Sequence, residues 1–283
     1  MKMSTLTTTA LAGLWLGVSA IAALAGPLED RIAAGDTIRI GFANEIPFAY
    51  PGEDGTPKGF VNAAVIGVLA KMGYTNIETV ETEWGGLIPG LNAGQFDIIT
   101  GGMNTLAARC ENIAFSEPMA KIGDGFIVAP GNPKGIQTYT DVKDKAVMLV
   151  TGAGYSNIDA AKAAGVTEDQ IMIVPGPTEI LAAVTAGRAD AGTGTYPTMK
   201  QLADSSGGAV EIVDPSAMPE ESFNWAGVGF RKEDQDFLDR FNAAQKDYLG
   251  SPEMLAAVAE YGYSEAMLPG DKTTLLERAV HAH

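Results

Sequence analysis

From Thr37 onward, short apolar runs alternate with longer stretches whose apolar residues recur at helical spacing. Residues 38–42 read as a strand. Residues 59–72 place Phe60, Ala63, Ala64, Val65, Val68, Leu69 and Met72 on a helical repeat that Gly73 stops. A strand at 77–80, a helix at 86–92 closed by Gly94 and a strand at 96–100 follow. This alternation predicts an α/β fold with parallel sheets. Ligands of such sheets bind beyond the carboxyl ends of the strands.

The pattern restarts after Pro130-Gly131-Asn132-Pro133, which reads as a crossover between two lobes. Strands are predicted at 146–150, 171–174 and 189–192, and helices at 156–164 and 179–186, the second capped by Thr178. A further strand at 224–230 leads into charged amphipathic helices. The chain has no fixed-period repeat, which excludes a solenoid. The expected organisation is a signal peptide at 1–25, a first lobe at 26–129, a second lobe at 130–223, and a return to the first lobe with C-terminal helices at 224–283.

The leader rests on Lys2, the apolar run from Leu11 to Leu24 and the small-x-small tripeptide Ala23-Leu24-Ala25. The cleavage region holds no cysteine, so the expectation is a secreted, periplasmic chain without a lipid anchor. A net charge of −16 argues against nucleic acid and anionic membranes as partners. The two histidines, His281 and His283, sit at the extreme end, which removes most histidine-based catalysis and ordinary metal sites. Cys110 is the single cysteine, so no internal disulfide forms; it reads as a small buried helix residue rather than a nucleophile. No catalytic residue, metal or cofactor is expected.

Arg109 is the leading candidate for chemistry. With Asn104 or Thr105 as N-cap, its guanidinium would cover a helix start, and a bidentate pair with a ligand carboxylate follows naturally. A salt bridge to Glu111 or Glu117 is the plainer alternative. In the second lobe, Thr151-Gly152-Ala153-Gly154-Tyr155-Ser156-Asn157 links a strand to a helix, where glycines let backbone amides approach an anion. A dinucleotide fingerprint fails there, because Asn157 stands at the third glycine position. Plain turn chemistry explains the same residues. Phe48 and Trp84 follow predicted strands and offer faces for a flat or cationic group, with Glu45 nearby to meet a cation. Otherwise the aromatics only pack and Glu45 is solvated. Asp97 and Asp190 lie inside strand patterns and read as structural.

In combination these residues resemble the periplasmic solute-binding proteins of polar amino-acid ABC importers. The resemblance is carried by IRIGFANEIPFAY with GTPKGF, by WGGLIPGLNAGQFDIITGGMNTLAAR, by AFSEPM, and by LAAVTAGRADA with GTGTYP. It implies a two-lobed, type II binding-protein fold with two crossover strands and a ligand closed between the lobes. It further implies that Arg109 grips a ligand carboxylate, that Gly102, Met103 and Asn104 add polar contacts, that Gly152, Gly154 and Asn157 add more, and that Phe48 and Trp84 flank the ligand. Such proteins usually carry an acid for the ligand ammonium where this chain has Thr195. A neutral threonine there, with Glu45 supplying an anion from the other lobe, suits a carboxylate with a delocalised positive charge. The chain closely resembles ectoine- and hydroxyectoine-binding proteins. The expectation is a monomer that captures such a zwitterion and meets an ABC permease. A polar amino-acid binder and a dehydratase on the same fold are the alternatives.

Overall fold

The computed structural model describes residues 28–218 and 223–270. The expected signal peptide, its cleavage site and both histidines lie outside the described residues. In chain order the strands are β1 (Ile38–Phe42), β2 (Tyr50–Pro51), β3 (Pro57–Lys58), β4 (Ile77–Glu81), β5 (Ile98–Asn104), β6 (Ala114–Phe115), β7 (Ala120–Val128), β8 (Leu149–Gly152), β9 (Ile171–Val174), β10 (Ala191–Thr195), β11 (Glu211–Ile212) and β12 (Phe223–Phe230). The helices are α1 (Leu28–Ala33), α2 (Phe60–Lys71), α3 (Leu87–Asn92), α4 (Ala107–Cys110), α5 (Tyr139–Asp144), α6 (Asn157–Ala163), α7 (Pro177–Thr185), α8 (Tyr196–Ser205), α9 (Gln235–Tyr248) and α10 (Pro252–Val258).

One sheet runs β4-β1-β5-β12-β7-β10-β8-β9 through two lobes. β4, β1 and β5 are parallel, as are β10, β8 and β9. The two strands between these sets are antiparallel and shared. β12 pairs with β7 at its start and with β5 at its end. β7 pairs with β12 through Ala120–Gly123, then with β10 through Asp124–Val128. The change of partners therefore occurs inside β7, ahead of the Pro130–Pro133 turn that the sequence pattern marks as the crossover.

Hydrophobic burial is organised lobe by lobe. In the first lobe α2 buries Phe60, Val61, Ala64, Val65, Val68 and Leu69 against β1, β5 and the return helices, with Phe230, Phe237 and Phe241 completing the layer. The second lobe packs Phe126, Val142, Leu149 and Ala191 on one side of its sheet and Ile127, Val150, Ile180 and Met199 on the other. Gly59 opens α2 at φ 99°, and a Cβ there would lie 2.3 Å from the Phe48 carbonyl oxygen. Only glycine allows that approach.

Two start signals differ from expectation. α4 is capped by Leu106 without a side-chain bond, not by Asn104 or Thr105, because β5 continues through Asn104. α7 begins at Pro177 with Gly176 as its cap, so Thr178 is helical rather than capping. Proline at a first helical position loses no bond the helix would have used.

Asp97 ties the first lobe together. Its Oδ1 lies 2.6 Å from Arg31 Nη1, 2.9 Å from Arg39 Nη2 and 3.2 Å from Arg231 Nη2. Burial works against its ionisation, but the hydrogen bonds from Arg39 and Arg31 outweigh it and hold the carboxyl below the usual range. Asp97→Ala should cost about 3–5 kcal/mol, because it strands buried guanidinium groups without their anion. The depressed pKa means this stability is present above the unfolded-state value of about 3.9 and is lost as pH falls through the native value. Urea unfolding at neutral and acid pH checks both: Asp97→Ala should be less stable at neutral pH, and the gap should shrink in acid.

Candidate ligand-binding site

A narrow space of about 20 Å³ lies between the lobes, walled by Glu45, Trp84, Gly102, Asn104 and Arg109 from the first and by Tyr155, Ser156, Asn157 and Thr195 from the second. That is room for about one water, so in this closed arrangement the walls already touch one another across the cleft.

Arg109 reaches this space because β5 ends at Asn104 and α4 follows within a few residues. Its Nη1 donates to the Asn104 carbonyl and its Nη2 to the Gly154 carbonyl, both at 2.9 Å. The guanidinium also stands 5.9 Å from the Trp84 ring centre. Among the described residues no carboxylate pairs with it, so the salt bridge to Glu111 or Glu117 does not form. Burial lowers its pKa to about 10, which leaves it charged at neutral pH.

Glu45 follows β1 and is 5% exposed rather than solvated. Its Oε2 accepts from the Tyr155 hydroxyl at 2.9 Å and its Oε1 from Thr198 Oγ1 at 3.0 Å. Thr195 Oγ1 in turn donates to Thr198 at 3.1 Å. Burial pushes the carboxyl above its usual range, and the two hydroxyls only partly restore it. No cation among the described residues pairs with it. A cationic group placed in the same space would meet this carboxylate, and a carboxylate would meet Arg109.

The aromatic wall is Trp84 with Tyr155, their rings 5.6 Å apart at 75°. Trp84 Nε1 donates to the Gly154 carbonyl at 3.3 Å. Phe48 is not part of this wall. It is 2% exposed, lies 4.7 Å from Phe60 in the first-lobe core, and sits behind Gly102. Met103 points into the same lobe's interior with Leu87, Leu91 and Phe96. Strand alternation explains the split, since Gly102 and Asn104 share one face of β5 and Met103 takes the other.

In the second lobe Gly152 is β8 backbone that leaves room for the Tyr155 ring, 2.7 Å from where a Cβ would stand. Gly154 contributes its carbonyl rather than an amide, receiving both Arg109 and Trp84. Asn157 is buried and donates to the Tyr139 hydroxyl at 2.9 Å. Asn104 Nδ2 donates to Ser156 at 2.8 Å, while its buried Oδ1 has no partner.

Tyr155, Ser156 and Thr198 were not singled out from sequence. Tyr155 had a visible signal, an aromatic after a second-lobe strand as Trp84 follows one in the first. Thr198 had none, since its role depends on packing of α8 against a distant loop. Cys110 is half-buried, and burial pushes its thiol up, which disfavours a nucleophilic thiolate. Asp190 accepts from the Met148 amide at 2.8 Å and pairs with Lys134. Among the described residues no cluster of three or more His, Cys, Asp or Glu could hold a metal, and no helix is long and apolar enough to cross a membrane.

Two lobes joined by two shared antiparallel strands, with a small charged space between them, define the type II periplasmic binding-protein fold. The chain belongs to the bacterial extracellular solute-binding proteins, family 3, whose profile matches residues 38–263. It is 35% identical over 272 residues to the probable amino-acid ABC transporter periplasmic-binding protein y4tE of Sinorhizobium fredii, covering 93% of this chain and 89% of that protein. It is 27% identical over 252 residues to the lysine/arginine/ornithine-binding periplasmic protein of Escherichia coli, covering 86% and 90%. Among solved structures, EhuB in complex with hydroxyectoine superposes with a TM-score of 0.76 at 27% identity, over 83% of this chain and 91% of that one. The ancestral amino acid-binding protein AncCDT-1, a precursor of cyclohexadienyl dehydratase, gives 0.71 at 25% identity, over 82% and 98%.

Gly102 adopts φ 68°, and a Cβ there would lie 2.7 Å from the Phe48 ring and 3.0 Å from Val61. Gly102→Ala should therefore destabilise the fold by about 1–3 kcal/mol. Chemical unfolding followed by circular dichroism reads that loss.

Proposed function

We propose that this chain is the periplasmic solute-binding component of an ABC importer and that it captures ectoine and hydroxyectoine by closure of its lobes. One observation carries the reading: Arg109 and Glu45 wall the same small space, and among the described residues each is bonded only to neutral groups. Glu45 pairs with no cation among the described residues and Arg109 feels Asp159 only without direct contact, so a ligand bringing one charge of each sign relieves both. The ligand carboxylate docks on Arg109 and its cation faces Glu45.

Three features favour a delocalised cation over a compact ammonium. Thr195 supplies no charge from the second lobe, and its hydroxyl is committed to Thr198. The walls of the space include the Trp84 and Tyr155 rings, and aromatic surface suits a flat cation. The similarity to EhuB, solved with hydroxyectoine, agrees in ligand class. Lobe closure is favoured by contacts the ligand makes only in the closed form. Delivery to a membrane permease then completes the role, with no chemistry done on the solute.

A polar α-amino acid is the second reading. The orphaned Asn104 Oδ1 favours it, since that oxygen could accept a bond from an ammonium. Calorimetry with ectoine, hydroxyectoine, glycine betaine, L-arginine and L-glutamine separates the two. Tight binding of the ectoines supports the proposal; tight binding of an α-amino acid with none of ectoine overturns it. Recovery of chemically altered solute would point to an enzyme instead.

Arg109→Ala and Trp84→Ala should each weaken ectoine binding by about 1.5 kcal/mol or more, roughly tenfold, with the fold intact by circular dichroism. Affinity should also depend on pH with a definite sign. The bound cation holds Glu45 ionised, so the carboxyl pKa is higher in the free protein than in the complex. Affinity is then full above the free-protein pKa and falls as pH drops below it. Above about 10, loss of the Arg109 proton weakens binding from the other side.

A further inference from the structure

Glu45 belongs to the first lobe, while both hydroxyls bonded to it belong to the second, Tyr155 on the β8–α6 connection and Thr198 on α8. The two bonds span the cleft, as do those from Arg109 and Trp84 to Gly154 and from Asn104 to Ser156, and of these first-lobe groups Glu45 is the carboxylate. In the proposed reading one carboxylate therefore serves two partners, a ligand cation and the opposite lobe.

The charged surroundings of Glu45 are sparse and mostly of its own sign. Arg109 is the cation on the walls of the shared space, and it is engaged with two carbonyls. Glu83, ahead of the Trp84 turn, and Glu179, on α7, lie close enough to act on the Tyr155 hydroxyl, and Glu81 lines the recess outside. Thr195 and Thr198 are neutral. Closing the empty cleft would thus strip water from an ionised carboxylate with no cation to replace it.

We propose that Glu45, held by Tyr155 and Thr198, makes lobe closure conditional on positive charge: a ligand cation shuts the cleft at neutral pH, and a proton on Glu45 shuts the empty cleft in acid. This rests on the reading of the cleft as a site for a zwitterion. Hydroxyls both donate and accept, so both cross-lobe bonds survive protonation of the carboxyl. The sign follows from burial. A carboxyl less solvated in the closed form has a higher pKa there, in line with the upward push on Glu45. The closed empty form is favoured below the open-form pKa, and that advantage is lost as pH rises through the closed-form pKa.

Asp124 is the main competitor for any acid response. It is buried on β7 beside the Tyr139 hydroxyl, and burial holds its pKa at about 6. It bonds within the second lobe, however, and makes no bond across the cleft.

Small-angle X-ray scattering of the ligand-free protein at neutral and mildly acidic pH tests the proposal without any ligand. The wild-type radius of gyration should fall on acidification. Glu45→Gln should be compact already at neutral pH and lose the pH response. Tyr155→Phe and Thr198→Val should weaken the acid compaction, and Thr198→Ser, which keeps the hydroxyl, should restore it. Asp124→Asn should behave as wild type. A wild-type radius equal at both pH values, or a pH response that persists in Glu45→Gln, overturns the proposal. Because no solute is present, an error in the ligand assignment leaves these outcomes unchanged. Normal ectoine binding by a protein without the pH response would defeat this inference alone.

Discussion

An ionised carboxylate taken out of water needs a cation, because hydrogen bonds from neutral hydroxyls return only part of the lost hydration. Glu45 is in that position, with Tyr155 and Thr198 as its partners and no cation paired with it among the described residues. The proposed function follows from that imbalance. The space between the lobes is small, Arg109 carries the opposite charge on the same walls, and the carboxylate joins the lobes alongside the bonds from Arg109, Trp84 and Asn104.

Asp97 shows the contrast within one lobe. It too is fully buried, yet arginines from α1, β1 and the residue after β12 surround it, and its carboxyl is held low. Glu45 is buried among hydroxyls and is pushed up. The same chemistry serves as a structural tie where its counter-charges are built in, and in the proposed function as a receptor where one is left for the ligand to bring. Direction of pKa shift, read with its cause, distinguishes the two.

The strand and helix order was legible because hydrophobic spacing is local, and β1 and β9 match their expected bounds. What failed was whatever depended on a neighbour. β5 runs on through Gly102 and Asn104 because β12 pairs with it there, which moved the cap of α4. Phe48 looked like a wall of the site by its place after β1, but the Phe60 ring and α2 draw it into the core. Thr195 and Glu45 were legible as neighbours in the cleft, since both line the same space. Thr198, which joins them, becomes visible only when α8 packs over the cleft.

The central claim is that the cleft reads both charges of one zwitterion. Its most direct test compares ectoine by calorimetry with two truncated analogues, a cyclic amidine lacking the carboxylate and a ring carboxylate lacking the amidinium. The account predicts that each analogue binds at least about a hundredfold more weakly than ectoine, about 2.7 kcal/mol. Binding of either analogue within about tenfold of ectoine would contradict it.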